Sequence, residues 1–115
     1  MKAIIIDDEK LIRRALKELL HTYCTDVLVV GESDGVENGF DLIAQTDFDI
    51  LFLDIKMKDG TGFDLLAKLH SKSRNFQLIF TTAYDEFALK AIKQSAIDYL
   101  LKPIDPDELQ KAVMK

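Results

Sequence analysis

The chain has 115 residues, 48% of them hydrophobic, which suits one domain around one buried core. A formal net charge of -5 disfavours direct nucleic-acid binding, because phosphate contacts need a basic patch, so any DNA binding would have to come from another domain. No apolar run approaches the ~18 residues of a membrane span, nothing at the N-terminus resembles a signal peptide, and the single cysteine excludes a disulfide framework. The expectation is a cytoplasmic protein whose Cys24 packs as a small hydrophobe.

Ala3-Ile4-Ile5-Ile6 reads as a first strand and runs into Asp7-Asp8. Leu11, Ile12, Ala15, Leu16, Leu19 and Leu20 then recur at helical spacing, opposite Lys10, Arg13, Arg14, Lys17 and Glu18, and predict an amphipathic helix over the sheet. Val27-Leu28-Val29-Val30 is the second strand. A helix around Val36, Phe40, Ile43 and Ala44 follows, with Gly35 and Gly39 weakening its start. Ile50-Leu51-Phe52-Leu53 is the third strand and ends in Asp54. The Gly60-Thr61-Gly62 turn opens a helix carrying Phe63, Leu66 and Leu69. Leu78-Ile79-Phe80 ends in Thr81-Thr82, and Phe87, Ala88, Ala91 and Ile92 mark the next helix. The fifth strand, Ile97 to Leu101, meets Lys102-Pro103, and Asp105-Pro106-Asp107-Glu108 carries the cap and first-turn proline of a last helix. From Pro106 to Lys115 that helix spans only about 15 Å and has no glycine or asparagine stop, so continuation into an output domain absent from this chain is expected.

Short runs rich in Ile, Leu and Phe read as strands buried on both faces of a parallel sheet, and the alternation predicts right-handed βα crossovers in a doubly wound α/β domain. Ligands in such sheets bind at the carboxyl ends of the strands. Asp7, Asp8, Asp54, Thr82 and Lys102 should therefore converge. Clustered carboxylates repel unless a cation joins them, and an oxygen-rich acidic site suits a hard divalent ion such as Mg²⁺. Taken singly, each residue has a plainer role: Asp8 as a helix cap, Thr82 as a turn hydroxyl, Lys102 as a solvated charge, Tyr99 as a strand aromatic. His21 and His70 have no metal-ligand spacing and read as surface residues.

The ordered set of Asp7-Asp8, Asp54, Thr82 and Lys102-Pro103 resembles the receiver domain of bacterial two-component response regulators over the whole chain. Tyr84-Asp85-Glu86-Phe87-Ala88-Leu89-Lys90-Ala91 and Ala96-Ile97-Asp98-Tyr99-Leu100-Leu101-Lys102-Pro103-Ile104 look most like the LytR/AlgR type, whose receivers precede a LytTR DNA-binding domain. The resemblance implies a five-stranded parallel sheet in 2-1-3-4-5 order and a phosphorylation switch rather than an enzyme, although with intrinsic Mg²⁺-dependent phosphotransfer and autodephosphorylation. By the same resemblance, Asp54 accepts phosphate from a sensor histidine kinase. Asp8, Asp7 partly through water, Asp54 and the main-chain carbonyl of Lys56 hold Mg²⁺. Thr82 and Lys102 meet phosphoryl oxygens, Tyr99 is the switch aromatic, and the Lys102-Pro103 bond is cis. Lys58 stands where proline is common, which predicts a more mobile loop. Lys56 and Tyr84 occupy the variable positions beside the phosphoryl site and are expected to tune the lifetime of the phosphorylated state.

A homodimer through the last two βα units is also expected, from the mixed charges of Lys90, Lys93, Asp98, Asp105, Asp107 and Lys111. Three other readings stand beside the transcription regulator. A stand-alone receiver would relay phosphate or bind a protein. A phosphohydrolase of the haloacid-dehalogenase type would need an acid where Lys56 stands. A flavodoxin-like carrier would set its flavin phosphate against Asp7-Asp8-Glu9.

Overall fold

The computed structural model describes residues 1–69, 75–84, 86–93, 96 and 98–115; the expectations for His70, Asp85 and Ile97 lie outside the described residues. Along the chain come β1 (Lys2–Ile6), α1 (Lys10–Tyr23), β2 (Leu28–Ser33), α2 (Val36–Gln45), β3 (Ile50–Asp54), β4 (Lys56–Met57) and β5 (Gly60–Thr61). Then follow α3 (Gly62–Lys68), β6 (Gln77–Thr82), α4 (Ala88–Lys93), β7 (Asp98–Leu101) and α5 (Pro106–Met114). Five strands pair in parallel in the order β2-β1-β3-β6-β7, which is the expected 2-1-3-4-5 order once the small β4-β5 hairpin is set aside.

Period-two alternation sends successive residues of each strand to opposite faces. Ala3, Ile5, Phe52, Ile79 and Leu100 pack with Leu16 and Leu20 of α1 and Leu109, Ala112 and Val113 of α5. Ile4, Ile6, Leu51, Leu53 and Phe80 pack with Val36 of α2, Phe63, Leu65 and Leu66 of α3 and Ala91 of α4. Both faces of β1 and β3 are therefore dry, which is why their apolar runs are unbroken. Burying Phe52 or Phe80 completely contributes about 2–3 kcal/mol each. Cys24 lies in the first of these cores, and burial pushes its thiol pKa up. His21 is exposed, as expected.

Four sequence expectations need correction. The second strand starts at Leu28 rather than Val27 and runs on through Gly31-Glu32-Ser33. It is an edge strand with Leu28 63% exposed, so it is not buried on both faces, and its register against β1 slips between Ala3 and Ile4. In α1 Leu16 and Leu20 are buried and Leu19 packs against the same core, whereas Leu11 and Ala15 are exposed, Leu11 to 74%. The stretch after Asp54 is a hairpin rather than a simple turn, with Gly60 at φ 144°. The following helix ends at Lys68, leaving Leu69 as its C-cap. At the other end of the chain Asp105 caps α5 as expected, its side chain accepting from Asp107 N at 3.2 Å.

Candidate functional site

The parallel sheet brings the carboxyl ends of β1, β3, β6 and β7 to one edge. Asp7 follows β1, Asp54 and Thr82 end β3 and β6, and Lys102 follows β7. Asp7, Asp54 and Thr82 are 2%, 5% and 0% exposed, so the polar groups here are buried among one another rather than solvated. Lys102 Nζ sits 2.7 Å from Asp7 Oδ2 and 3.3 Å from Asp54 Oδ2. Oxygen atoms of Asp7, Asp8 and Asp54 lie within 4.8 Å of one another.

Backbone geometry fixes these side chains. Asp7 N donates to Ser33 O at 3.0 Å, and Lys102 N donates to Thr82 O at 2.8 Å, so both residues extend the ladder past the strand ends. Asp7 Oδ1 accepts from Glu9 N at 2.9 Å and Asp54 Oδ1 from Ile55 N at 2.8 Å. Each carboxylate thus has one oxygen tied to the main chain, while its other oxygen faces Lys102. Asp8 does not cap α1: the N-cap is Glu9 and its side chain makes no capping bond. The Lys102-Pro103 peptide is cis.

Burial and the neighbouring Asp7 carboxylate push the Asp54 pKa up to about 6, against the pull of Lys102 and the Ile55 amide. For Lys102 burial acts downward, but the hydrogen bond to Asp7 and the charges of Asp54 and Asp7 outweigh it and hold the ammonium above its ordinary value. Two buried carboxylates share one ammonium, and the half-buried Asp8 beside them leaves an excess of negative charge. An all-oxygen donor set of that kind fits a hard divalent cation such as Mg²⁺, which Asp7, Asp8 and Asp54 could hold.

Around this pocket stand the residues expected to shape access. Thr82 Oγ1 accepts from Tyr84 N at 3.2 Å and keeps its own hydrogen to donate. The Tyr99 hydroxyl donates to the Tyr84 carbonyl, while its ring packs 6.4 Å from Phe80, centroid to centroid. Lys56 Nζ lies 4.2 Å above the Tyr84 ring and 5.5 Å from Phe87, so the two lifetime-tuning candidates touch each other. Haloacid-dehalogenase chemistry loses support here, because a cation stacked on an aromatic ring stands where that chemistry needs an acid.

Three supporting residues escape sequence reading. Arg13 donates to the Asp7 carbonyl at 2.7 Å and to Glu32 Oε1 at 2.8 Å, bridging α1 to the β1 end; in the sequence it is one more charge on the polar side of the helix. Gly62 lets α3 begin against the acceptor strand, since a Cβ there would lie 2.5 Å from Asp54 O. Asp59, on the hairpin turn, binds the amides that open α2. Only Gly62 left a signal, as a glycine at a helix start, and nothing in the local pattern points to its neighbour.

The fold is a doubly wound α/β domain with an acidic, lysine-closed pocket at the carboxyl edge of its sheet, where such sheets bind their ligands. The family model of the response regulator receiver domain matches residues 3–114, and the chain belongs to that family. It is 37% identical over 115 residues to the sensory transduction protein LytT of Bacillus cereus, covering 100% of this chain and 46% of LytT, so it spans less than half the length of that relative. Among solved structures, the response regulatory domain of protein mrkE from Klebsiella pneumoniae superposes with a TM-score of 0.87 at 29% identity, over 99% of this chain and 93% of that one. The response regulator TrrA of Thermotoga maritima, solved in complex with Mg²⁺ and beryllium fluoride, gives 0.85 at 25% identity, over 98% and 96%.

Proposed function

We propose that this domain is a phosphorylation-operated switch in which Asp54 accepts a phosphoryl group from the phosphohistidine of a sensor kinase. The observation that carries the reading is Asp54 Oδ2, buried at the strand edge 3.3 Å from Lys102 Nζ with Asp7 and Asp8 beside it. Because Oδ1 is held by Ile55 N, Oδ2 is the attacking atom. It forms the O–P bond as the N–P bond of the donor breaks. Lys102 leaves the carboxylates to pair with a phosphoryl oxygen, and the Thr82 hydroxyl, already oriented by Tyr84 N, donates to another. Asp7, Asp8, Asp54 and the Lys56 carbonyl would hold Mg²⁺, which when bound would supply positive charge for the approach of two anions. Hydrolysis of the resulting acyl phosphate returns the switch to rest.

Thr82 and Tyr99 share the Tyr84 main chain as a partner, so drawing Thr82 toward phosphate shifts the carbonyl that Tyr99 binds. The readout face is then α4, β7 and α5, acting on an output domain, of the LytTR DNA-binding type, in a cytoplasmic regulator.

Acetyl phosphate with Mg²⁺ should add the mass of one phosphate to the wild type and none to Asp54→Ala, and chelation should abolish the gain. A gain that persists in Asp54→Ala rejects Asp54 as acceptor. Phosphorylation is also expected to favour a homodimer through the last two βα units, where charges of both signs lie exposed and each pair adds only ~0–1 kcal/mol. Sedimentation with beryllofluoride tests this; a monomer at high concentration rejects it.

A further inference from the structure

Lys58 replaces the proline expected in the loop after Asp54, yet that loop is tightly held. Gly62 N donates to Ile55 O at 2.7 Å, and β4 pairs with β5 through Lys56 and Thr61. Thr61 and Asp64 form a reciprocal capping box on α3, with bonds of 2.9 and 3.1 Å. The far end of the hairpin, where a proline would have stiffened the chain, is fastened differently. Asp59 Oδ1 accepts from Val36 N at 2.8 Å and Asp59 Oδ2 from Glu37 N at 3.1 Å. These are the first two amides of α2, whose own N-cap, Gly35, has no side chain to offer. Asp59 therefore caps a helix to which it is not adjacent in sequence. Its charge also complements the positive end of that helix.

We propose that Asp59 is a positioning residue for metal binding, holding the Lys56 carbonyl in place by pinning the β4-β5 turn to α2. This rests on the reading of the strand-end pocket as a Mg²⁺ site. The hairpin is clamped at two helix N-termini, α2 through Asp59 and α3 through Thr61, and Lys56 lies between Asp54 and both clamps. A main-chain ligand cannot be set by its own side chain, so its position depends on where the loop is tied. Releasing one tie lets the carbonyl sample arrangements that do not face the pocket, and ordering it then opposes metal binding. Gly35 supports the assignment: a Cβ at that position would lie 2.6 Å from Asp59 Oδ1, so the approach of the carboxylate requires glycine there.

The test is Mg²⁺ binding by titration calorimetry on wild type, Asp59→Ala, Asp59→Asn and Gly35→Ala, with urea unfolding of each alongside. Asp59→Ala should weaken Mg²⁺ binding about threefold to tenfold, less than the roughly 10–100-fold of removing a group bonded directly to a metal ligand. Asp59→Asn, which keeps one acceptor oxygen, should fall between it and wild type. Gly35→Ala leaves the carboxylate in the chain but displaces it, so it should weaken binding like Asp59→Ala, and the double variant should be no weaker than the worse single one. A merely structural cap would lower unfolding stability without moving the Mg²⁺ affinity, and that result overturns the proposal. A wild type that binds no Mg²⁺ would instead reject the pocket reading itself, and the positioning role with it.

Discussion

Two loops border the pocket, and they are built differently. The one after β3 carries main-chain pairing of its own, the β4-β5 ladder and Gly62 N on Ile55 O, and is tied to α2 by the Asp59 carboxylate. The described residues of the loop after β6 are held through side chains, by Thr82 Oγ1, the Tyr99 hydroxyl and the Lys56 ammonium, all gathered on Tyr84. Main-chain hydrogen bonds define one geometry and cost heavily when broken in a buried place. Side-chain contacts can exchange partners by rotamer changes. The first loop suits placing ligands, the second suits registering their arrival, and Lys56 stacked on Tyr84 joins them.

The largest effect should follow from breaking the first loop. Gly62→Ala puts a methyl 2.5 Å from Asp54 O, where backbone must give way. A loss of about 2–3 kcal/mol in urea unfolding is expected, with phosphorylation slowed. Full stability in that variant would show that α3 can withdraw from the acceptor strand freely.

Next comes the charge between the loops. The Asp54 pKa is raised to about 6 from 3.8, so ionising it opposes folding. In metal-free buffer Asp54→Asn should therefore be more stable than wild type by on the order of 1–2 kcal/mol, allowing for solvent screening. The sign follows from proton binding: the folded state holds this proton to higher pH than the unfolded state. The advantage of Asn is complete above pH 6, shrinks between 6 and 3.8, and vanishes below. Unfolding at pH 7 and pH 3.5 checks it, and equal stability at pH 7 would mean that Lys102 already compensates the charge.

The smallest effect concerns the second loop. Lys56 stacks on Tyr84; on the proposal that this pair shields Asp54 from water, Lys56→Asn and Tyr84→Ala should each quicken decay of the phosphorylated form severalfold. Tenfold corresponds to about 1.4 kcal/mol at the barrier. Slower or unchanged decay in both would show that water access does not set the lifetime.

The sequence made β1 and β3 legible because strands dry on both faces print as unbroken apolar runs, and the acids stood out because they end those runs. Leu28–Ser33 was only half legible: an edge strand with one wet side carries Glu32 in solvent, and Gly31-Glu32-Ser33 breaks the apolar run that marks a buried strand. The β4-β5 hairpin has two-residue strands, too short for any pattern. Asp59 capping α2, Arg13 on the Asp7 carbonyl and Lys56 over Tyr84 are contacts between elements distant in sequence. They exist only once the chain is folded, so local spacing carries no trace of them.

The sheet order has a further consequence for the chain before it folds. Ala3–Ile6 and Ile50–Ile55 are strand formers of the kind that stack into intermolecular β-structure when exposed. In the native sheet β1 and β3 are both interior strands, each flanked by neighbours on two sides, while the more polar β2 and β7 take the edges. During synthesis that shelter is absent. Lys2 and Asp7-Asp8 bracket the first run, and Asp47 and Asp49 precede the second with Asp54 inside it. Such flanking charges act as gatekeepers against self-association. The carboxylates that gather at the pocket are thus the same ones that keep its strands apart in a nascent chain.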